Sequence, residues 1–334
     1  MFATVFLLAA PHAFADDKGE EKMKPEVEVS GLAFAHYGFD LTDGAENFNE
    51  FAVDRVYFNV KAKVTKQLAT RFTLDVDRMK PVETDTGAFS YDTKYRAFLK
   101  FGYLEWHDFA PGLKIRAGMI DTPYIQVWEG HTEMRYIGKH FADEQKLLDT
   151  ADLGVSIYGE HAGGLVSWQA EIANGEGYGK PELDADKSLQ ARLTVDPLAK
   201  SEKKWKLPIT GYVNYNMQKD TDAIVTYVGA AGFKMPYVWF WGEYLGRSQG
   251  DLSGMGYSAS LQPGMPKYGR ILFRYDHWDP DTATEKDGVD KITGGLTHDF
   301  AEKIALAATY ESTTYEALPD TPSQGVFVHL LAGF

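Results

Sequence analysis

Residues 55–64 read RVYFNVKAKV. Val56, Phe58, Val60, Ala62 and Val64 share one parity, and Arg55, Tyr57, Asn59, Lys61 and Lys63 share the other. Successive side chains of a strand point to opposite sides, so this run has one apolar face and one charged face. Residues 71–77 repeat the pattern, with Phe72, Leu74 and Val76 against Arg71, Thr73, Asp75 and Asp77. Residues 95–103 set Tyr95, Ala97, Leu99, Phe101 and Tyr103 against Arg96 and Lys100. Such runs, about nine to twelve residues long, suit a tilted strand that crosses a bilayer. Strands of soluble sheets are usually shorter.

Working outward, about sixteen such segments follow. They lie near 26–40, 50–64, 67–79, 94–107, 113–120, 151–160, 164–174 and 187–196. The rest lie near 205–217, 223–234, 237–247, 255–263, 269–279, 289–299, 303–314 and 325–334. Short connections alternate with long, acidic, Gly-rich ones near 41–49, 80–93, 121–150, 175–186, 248–254, 280–288 and 315–324. That alternation predicts an all-β fold, a transmembrane antiparallel up-and-down barrel over residues 26–334. The weakest strand is 223–234, and the weakest connection is 197–204, which is long for a turn. Fewer strands, about fourteen, would shrink the lumen.

The ends agree with this reading. Phe2 to Ala10 are apolar, and Ala13-Phe14-Ala15 is a small-x-small pattern before Asp16-Asp17. Residues 1–15 therefore read as a signal peptide with a truncated basic region, and 16–25 as a periplasmic segment. Val326, Val328, Leu330, Ala332 and Phe334 share one parity. A terminal aromatic on an alternating strand resembles the assembly signal of bacterial outer-membrane barrels, so Phe334 is the expected signal residue. After the leader no run of about 18 apolar residues occurs, which excludes membrane-spanning helices. The chain has no cysteine, so disulfides and thiolate sites are excluded. A net charge of −14 argues against nucleic acid. The 14% aromatic content suits a barrel with two aromatic girdles.

Several passages resemble the phosphate-selective porin O/P family and related sixteen-stranded porins. They are Asp54-Arg55-Val56-Tyr57-Phe58-Asn59-Val60-Lys61-Ala62-Lys63, Tyr103-Leu104-Glu105-Trp106 leading to Leu113-Lys114-Ile115-Arg116-Ala117-Gly118, and Ala173-Asn174-Gly175-Glu176-Gly177-Tyr178. The resemblance implies a passive channel for small hydrophilic solutes or ions in the outer membrane, often a homotrimer. It also implies that the loop after the fifth strand folds into the lumen and narrows it. Here that loop is 121–150, with Trp128, Glu129, Glu133, Arg135, Tyr136, Lys139, Asp143 and Glu144. Few helix breakers interrupt Phe141 to Leu148, so part of the loop reads as helical.

Lipid-facing cations cost about 2–4 kcal/mol each at the midplane, so the strand bases are expected to face the lumen. These are Arg55, Lys61, Lys63, Arg71, Arg96, Lys100, Lys114 and Arg116, with Arg192, Arg270 and Arg274 further on. A basic wall facing an acidic loop would set a charge preference, favouring anions such as phosphate. The blander alternative is that the bases pair with acids such as Asp75, Asp77, Glu105 and Asp152 and stiffen the wall. Lipopolysaccharide, the barrel-assembly machinery and further copies of the chain are the other expected partners, with acidic outer loops able to hold divalent cations.

Neither a cofactor nor a metal is expected. His131 and His140 lack tight ligand spacing, Asp276, Asp279 and Asp281 do not fill a calcium-loop pattern, and Gly175-Glu176-Gly177-Tyr178-Gly179 lacks the helix and lysine of a phosphate cradle. An enzyme is not expected, since no serine sits beside His298 or His329 in the pattern. The competing readings are a structural or adhesive barrel with a plugged lumen and, behind it, a barrel enzyme.

Overall fold

The computed structural model describes residues 24–334 apart from 79–81, 84–88, 91–93, 183, 204, 266 and 267. The signal-peptide reading of 1–15 and most of the 16–25 segment lie outside the described residues. The strands are β1 Glu26–Asp40, β2 Asn49–Lys63, β3 Leu68–Arg78, β4 Val82–Glu83, β5 Phe89–Ser90, β6 Tyr95–Ala110, β7 Leu113–Asp121, β8 Ala151–His161 and β9 Val166–Ala173. They continue as β10 Ser188–Val195, β11 Ile209–Asn216, β12 Ile224–Met235, β13 Val238–Gln249, β14 Leu252–Met265, β15 Gly269–Asp279, β16 Val289–Ala301, β17 Ile304–Tyr315 and β18 Leu318–Gly333. Two helices, α1 Ile125–Thr132 and α2 Phe141–Glu144, lie between β7 and β8. No helix among the described residues is long and apolar enough to cross a membrane.

Sixteen strands close into one antiparallel barrel, and β4 with β5 form a separate two-stranded sheet between β3 and β6. Every barrel strand pairs with its sequence neighbours, and β1 closes on β18 with Leu32 opposite Gly333 and Asp40 opposite Gly325. Closure removes both edge strands. The expected strand count therefore holds. Among its described residues the connection at 197–204 adds no strand: Asp196 caps it, accepting from the backbone N–H groups of Leu198 and Leu207.

The alternation sorts side chains cleanly. On β16 Leu296 is 62% exposed while its neighbour Thr297 is 3% exposed. Exposed aromatics form two bands. Tyr215, Tyr227, Tyr244, Tyr257, Tyr310 and Tyr315 lie toward the long connections, and Phe109, Tyr237, Tyr268, Phe300 and Phe334 lie toward the short turns.

Three expectations need correction. The segments 248–254 and 315–324 are not long loops: β13 and β14 meet at Gly250-Asp251, and β17 and β18 at Glu316-Ala317. These strand ends extend with polar residues on both faces, so the period-two signal fades before the strand does. Phe101 and Tyr103 do not share the face of Leu99. A bulge at Lys100, where Thr73 pairs with Phe101 and Leu74 with Leu99, switches their parity. Helix α2 is one short turn rather than Phe141 to Leu148, and α1 lies where no helix is expected. An eight-residue helix is marginal alone. Tertiary burial of Ile125, Trp128 and Thr132, spaced on one helix face, holds α1 in place.

Candidate functional site

Residues 122–150 connect β7, the fifth barrel strand, to β8. Their apolar side chains form the largest buried cluster. Tyr124, Ile125, Trp128, Met134, Phe141 and Leu148 pack on Tyr212, Val228, Ala230, Trp241, Leu245, Leu272 and Trp278 of strands β11 to β15. The ring of Tyr124 stacks on Tyr212 at 5.4 Å. At the centre stands Glu243 of β13, fully buried. Tyr124 donates its hydroxyl to Glu243. Trp241 donates its Nε1–H to Glu243 Oε2 at 3.1 Å, and Nε2 of His140 lies 2.7 Å from Oε1. The Ala142 N–H donates to His140 Nδ1 at 3.1 Å, which leaves the ring proton on Nε2, facing the carboxylate.

More polar-face side chains hold the same segment. Gln262 donates to the Thr132 carbonyl at 2.9 Å, Arg274 donates to the Lys139 carbonyl at 2.8 Å, and the Arg274 guanidinium lies over Trp128. Lys234 reaches Glu133 at 2.5 Å and Lys291 reaches Glu144 at 2.9 Å. Gly232 lets α1 approach, since a Cβ there would lie 2.7 Å from Trp241 and 2.8 Å from His131 Nε2. His131 in turn contacts the Phe240 carbonyl at 2.9 Å, and burial holds its pKa below the ordinary value.

Most acids of this segment do not face the basic strands as expected, although Glu129 acts on the strand base Lys100 from beyond 4.0 Å. Glu133 and Glu144 pair with Lys234 and Lys291, Glu129 pairs with Arg135 at 3.3 Å, and Asp143 pairs with Lys139 at 3.2 Å. What contacts β1 and β2 directly is basic and aromatic. Arg135 approaches the Tyr57 hydroxyl at 3.5 Å, and Tyr136 packs with Phe34 and Tyr57.

The expected strand bases divide into two kinds. Some are neutralised: Arg55 pairs with Asp75 at 3.0 Å and Asp77 at 3.1 Å, and Arg116 pairs with Glu105 at 2.5 Å and with Asp121. Lys63 pairs with Glu26 at 3.0 Å in the open, and Lys61 is exposed beside it. Others have only neutral contact partners. Arg71 donates to Thr73 at 3.0 Å and Asn59 at 3.2 Å, and lies over Phe101. Lys100 is 5% exposed, donates to the Tyr57 hydroxyl at 3.3 Å and lies 4.8 Å from the centre of that ring. Lys114 lies over Tyr158, and Arg192 donates to Ser167 and Thr194. Among the described residues no carboxylate is within 4.0 Å of Arg71, Lys100 or Arg192. Arg96 is exposed, opposite Asp77. Of the other expected partner acids, Asp152 accepts backbone N–H groups of Leu153 and Gly175 instead. Arg270 pairs with Asp299 and Arg274 with Asp276.

Two cavities border these groups. One, of about 320 Å³, lies between Arg55, Asp77, Arg135 and Lys139 on one side and His36, Glu311 and His329 on the other. A second, of about 460 Å³, is lined by Lys61, Arg71, Tyr103, Glu105 and Arg116 near the short-turn end. The sequence pattern singles out His329 only as a possible enzyme histidine and gives no sign of His36 and Glu311. The three come together only because β1 closes on β18, with His36 directly opposite His329. Sequence reasoning also missed Glu243, whose signal was available: an acid on the parity of Trp239 and Trp241 needs a buried partner. Among the described residues no serine hydroxyl bonds to His298 or His329, and His329 instead meets the Thr309 hydroxyl at 3.0 Å. Phe334 is 72% exposed and donates its N–H to the Gly31 carbonyl at 3.1 Å.

This ring, with a long segment after the fifth strand, has the architecture of the sixteen-stranded porins. Among solved structures, the anion-selective porin from Comamonas acidovorans aligns with a TM-score of 0.63 at 12% identity, over 93% of this chain and all of that one. OmpF of Salmonella typhi, in complex with daunomycin, aligns with a TM-score of 0.65 at 10% identity, over 92% and 97%. OmpT, an outer-membrane protein of Vibrio cholerae, aligns with a TM-score of 0.62 at 9% identity, over 94% and 100%. At these identities the likeness is one of fold. No family model matches the sequence, and no curated protein matches it.

Proposed function

We propose that this chain is an outer-membrane porin, a passive diffusion channel for small hydrophilic solutes with a preference for anions. The observation that carries the reading is the closed ring itself, with an apolar exposed face and a charged second face. A soluble monomer rarely exposes so continuous an apolar surface. In lipid, the apolar face turns outward, the aromatic bands sit at the two interfaces and the charged face lines a lumen. Residues 122–150 are then the constriction, anchored mainly on β11 to β16 and touching β1, β2 and β17 through Tyr136.

The anion preference is supported by Arg71 and Lys100, whose hydrogen-bond partners are neutral although Glu129 and Asp75 act on Lys100 from beyond 4.0 Å, and by Arg135, which the segment brings to the same wall. The selectivity in the name of the Comamonas porin and the resemblance to the phosphate-selective family point the same way. Phosphate is therefore the first anion to test. A homotrimer, lipopolysaccharide contacts and recognition of the exposed Phe334 ring by the assembly machinery belong to the same proposal. A trimer form of the Vibrio OmpT has been solved.

Planar-bilayer recording tests it. Steady ohmic steps are expected, and silence would favour a plugged structural barrel instead. In a salt gradient the reversal potential should report anion preference. A unit charge about 5 Å from a passing ion in water is worth about 0.8 kcal/mol, a factor of about 4 in its local concentration. Lys100→Glu with Arg135→Glu should lower the anion-to-cation ratio by at least that factor. A ratio unmoved by both changes rejects the preference.

A further inference from the structure

The outer ends of β15 and β16 bring together groups that a channel does not require. One ring nitrogen of His277 and carboxylate oxygens of Asp290 and Glu316 lie within 4.8 Å of one another. The three come from different places in the chain. His277 on β15 and Asp290 on β16 are directly paired across the ladder, and Glu316 projects from the β17–β18 turn. Glu316 fits there because residue 288 is glycine: a Cβ on Gly288 would lie 2.7 Å from its carboxyl carbon.

The imidazole is already oriented. Its Nδ1 lies 2.9 Å from Asp290 Oδ1, and the ring stacks on Tyr257 at 4.8 Å. Tyr275 donates its hydroxyl to the same Asp290 oxygen at 2.6 Å. The Tyr275 bond supports Asp290 from outside the cluster, as outer hydrogen bonds commonly fix ligands around bound metals. The location sharpens the case. His277 and Asp290 share the parity of Phe273 and Ile292, so they stand on the apolar face, at the band of exposed tyrosines. Asp279 and Asp287 add negative charge close by. Among the described residues no lysine or arginine comes within 4.0 Å of Asp279, Asp290 or Glu316. Carboxylates beside a low-dielectric surface without a counter-charge are costly, and a bound cation offsets that cost.

We propose that His277, Asp290 and Glu316 form a binding site for a divalent transition-metal ion. The donor set of one imidazole and two carboxylates suits zinc, manganese or copper. Calcium and magnesium take oxygen donors alone. The ion ties the ends of β15 and β16 to the β17–β18 turn, and it stabilises the folded barrel because the unfolded chain lacks the site.

Zn²⁺ titration of the full barrel in detergent, after chelator treatment, tests the site by calorimetry and by the shift in thermal midpoint. One ion per chain and a raised midpoint are expected. His277→Ala should weaken binding by about 10- to 100-fold, with a parallel loss in Glu316→Gln, a turn substitution that leaves strand pairing intact. Circular dichroism of both variants verifies folding. Cu²⁺ bound to the wild type should show imidazole nitrogen coupling in its electron paramagnetic resonance spectrum, absent in His277→Ala. Three results overturn the proposal: no saturable Zn²⁺ binding, Zn²⁺ binding unchanged in His277→Ala, or Ca²⁺ binding as tightly as Zn²⁺ and indifferent to His277. The last would leave an acidic surface only.

Discussion

Strands β11 to β16 and the barrel strands β1 to β3 and β6 to β9 share one sheet and one alternation, yet their non-apolar faces differ in kind. On the first arc that face carries Val228, Ala230, Trp241, Leu245 and Leu272, all buried against residues 122–150. On the second it carries Arg55, Arg71, Lys100, Glu105 and Arg116, each held by a charged or polar neighbour. A barrel wall is half core and half surface once a long segment is packed on one side of it. The same backbone then serves two purposes: one arc mainly supports, and the other mainly carries charge.

The largest effect should come from cutting the support. Glu243→Ala removes the acceptor shared by Tyr124, Trp241 and His140 and leaves those groups buried without it. Breaking a buried charged network of this type costs about 3–5 kcal/mol. Urea unfolding in detergent should show a lower midpoint, and single-channel records should show larger or noisier steps as the segment leaves β13. If Glu243→Ala unfolds like the wild type and conducts like it, the two arcs do not differ in the way described.

The same contrast explains what the sequence revealed and what it hid. Strands such as β2 are legible because one face meets apolar surroundings and the other meets charge. Strand β12 reads poorly for a physical reason. Val228 and Ala230 on its second face are covered by α1 and its neighbours, so both faces are apolar and period two weakens. The bases of the candidate site were legible by parity, but their partners were not. Whether Arg55 meets Asp75 or an open cavity depends on register, and the bulge at Lys100 moves Phe101 and Tyr103 to the charged face without any mark in the sequence. The pairing of His36 with His329 needs closure of the ring, which joins the two ends of the chain.

A second test compares two leucines on adjacent strands. Leu272 of β15 is 0% exposed, under residues 122–150, and Leu296 of β16 is 62% exposed on the apolar face. Truncating either to alanine loses transfer energy of about 2 kcal/mol. Only Leu272→Ala also leaves a cavity, because fluid lipid fills the gap beside residue 296, so its total should reach about 3–5 kcal/mol. Equal losses in bilayer unfolding measurements would mean that the face of β15 is not packed as a core.

The smallest effect concerns pH. His131 on α1 faces β13, and burial is the main cause that lowers its pKa. In the unfolded chain it titrates near 6.5, so between that value and its lower folded one the unfolded state holds more protons. Stability therefore rises with pH in that window. It is fully present above pH 6.5 and declines as the pH falls below it, by at most about 1.4 kcal/mol per pH unit. His131→Gln removes the titration while offering the Phe240 carbonyl an amide donor. The difference in thermal midpoint between wild type and variant, followed from pH 7.5 to 5, should shift against the wild type at the acid end. Other titrating groups cancel in that difference. A difference that stays flat with pH would mean that His131 is as accessible to protons in the fold as in the free chain, and that α1 rests on the wall more loosely than Gly232 and Trp241 imply.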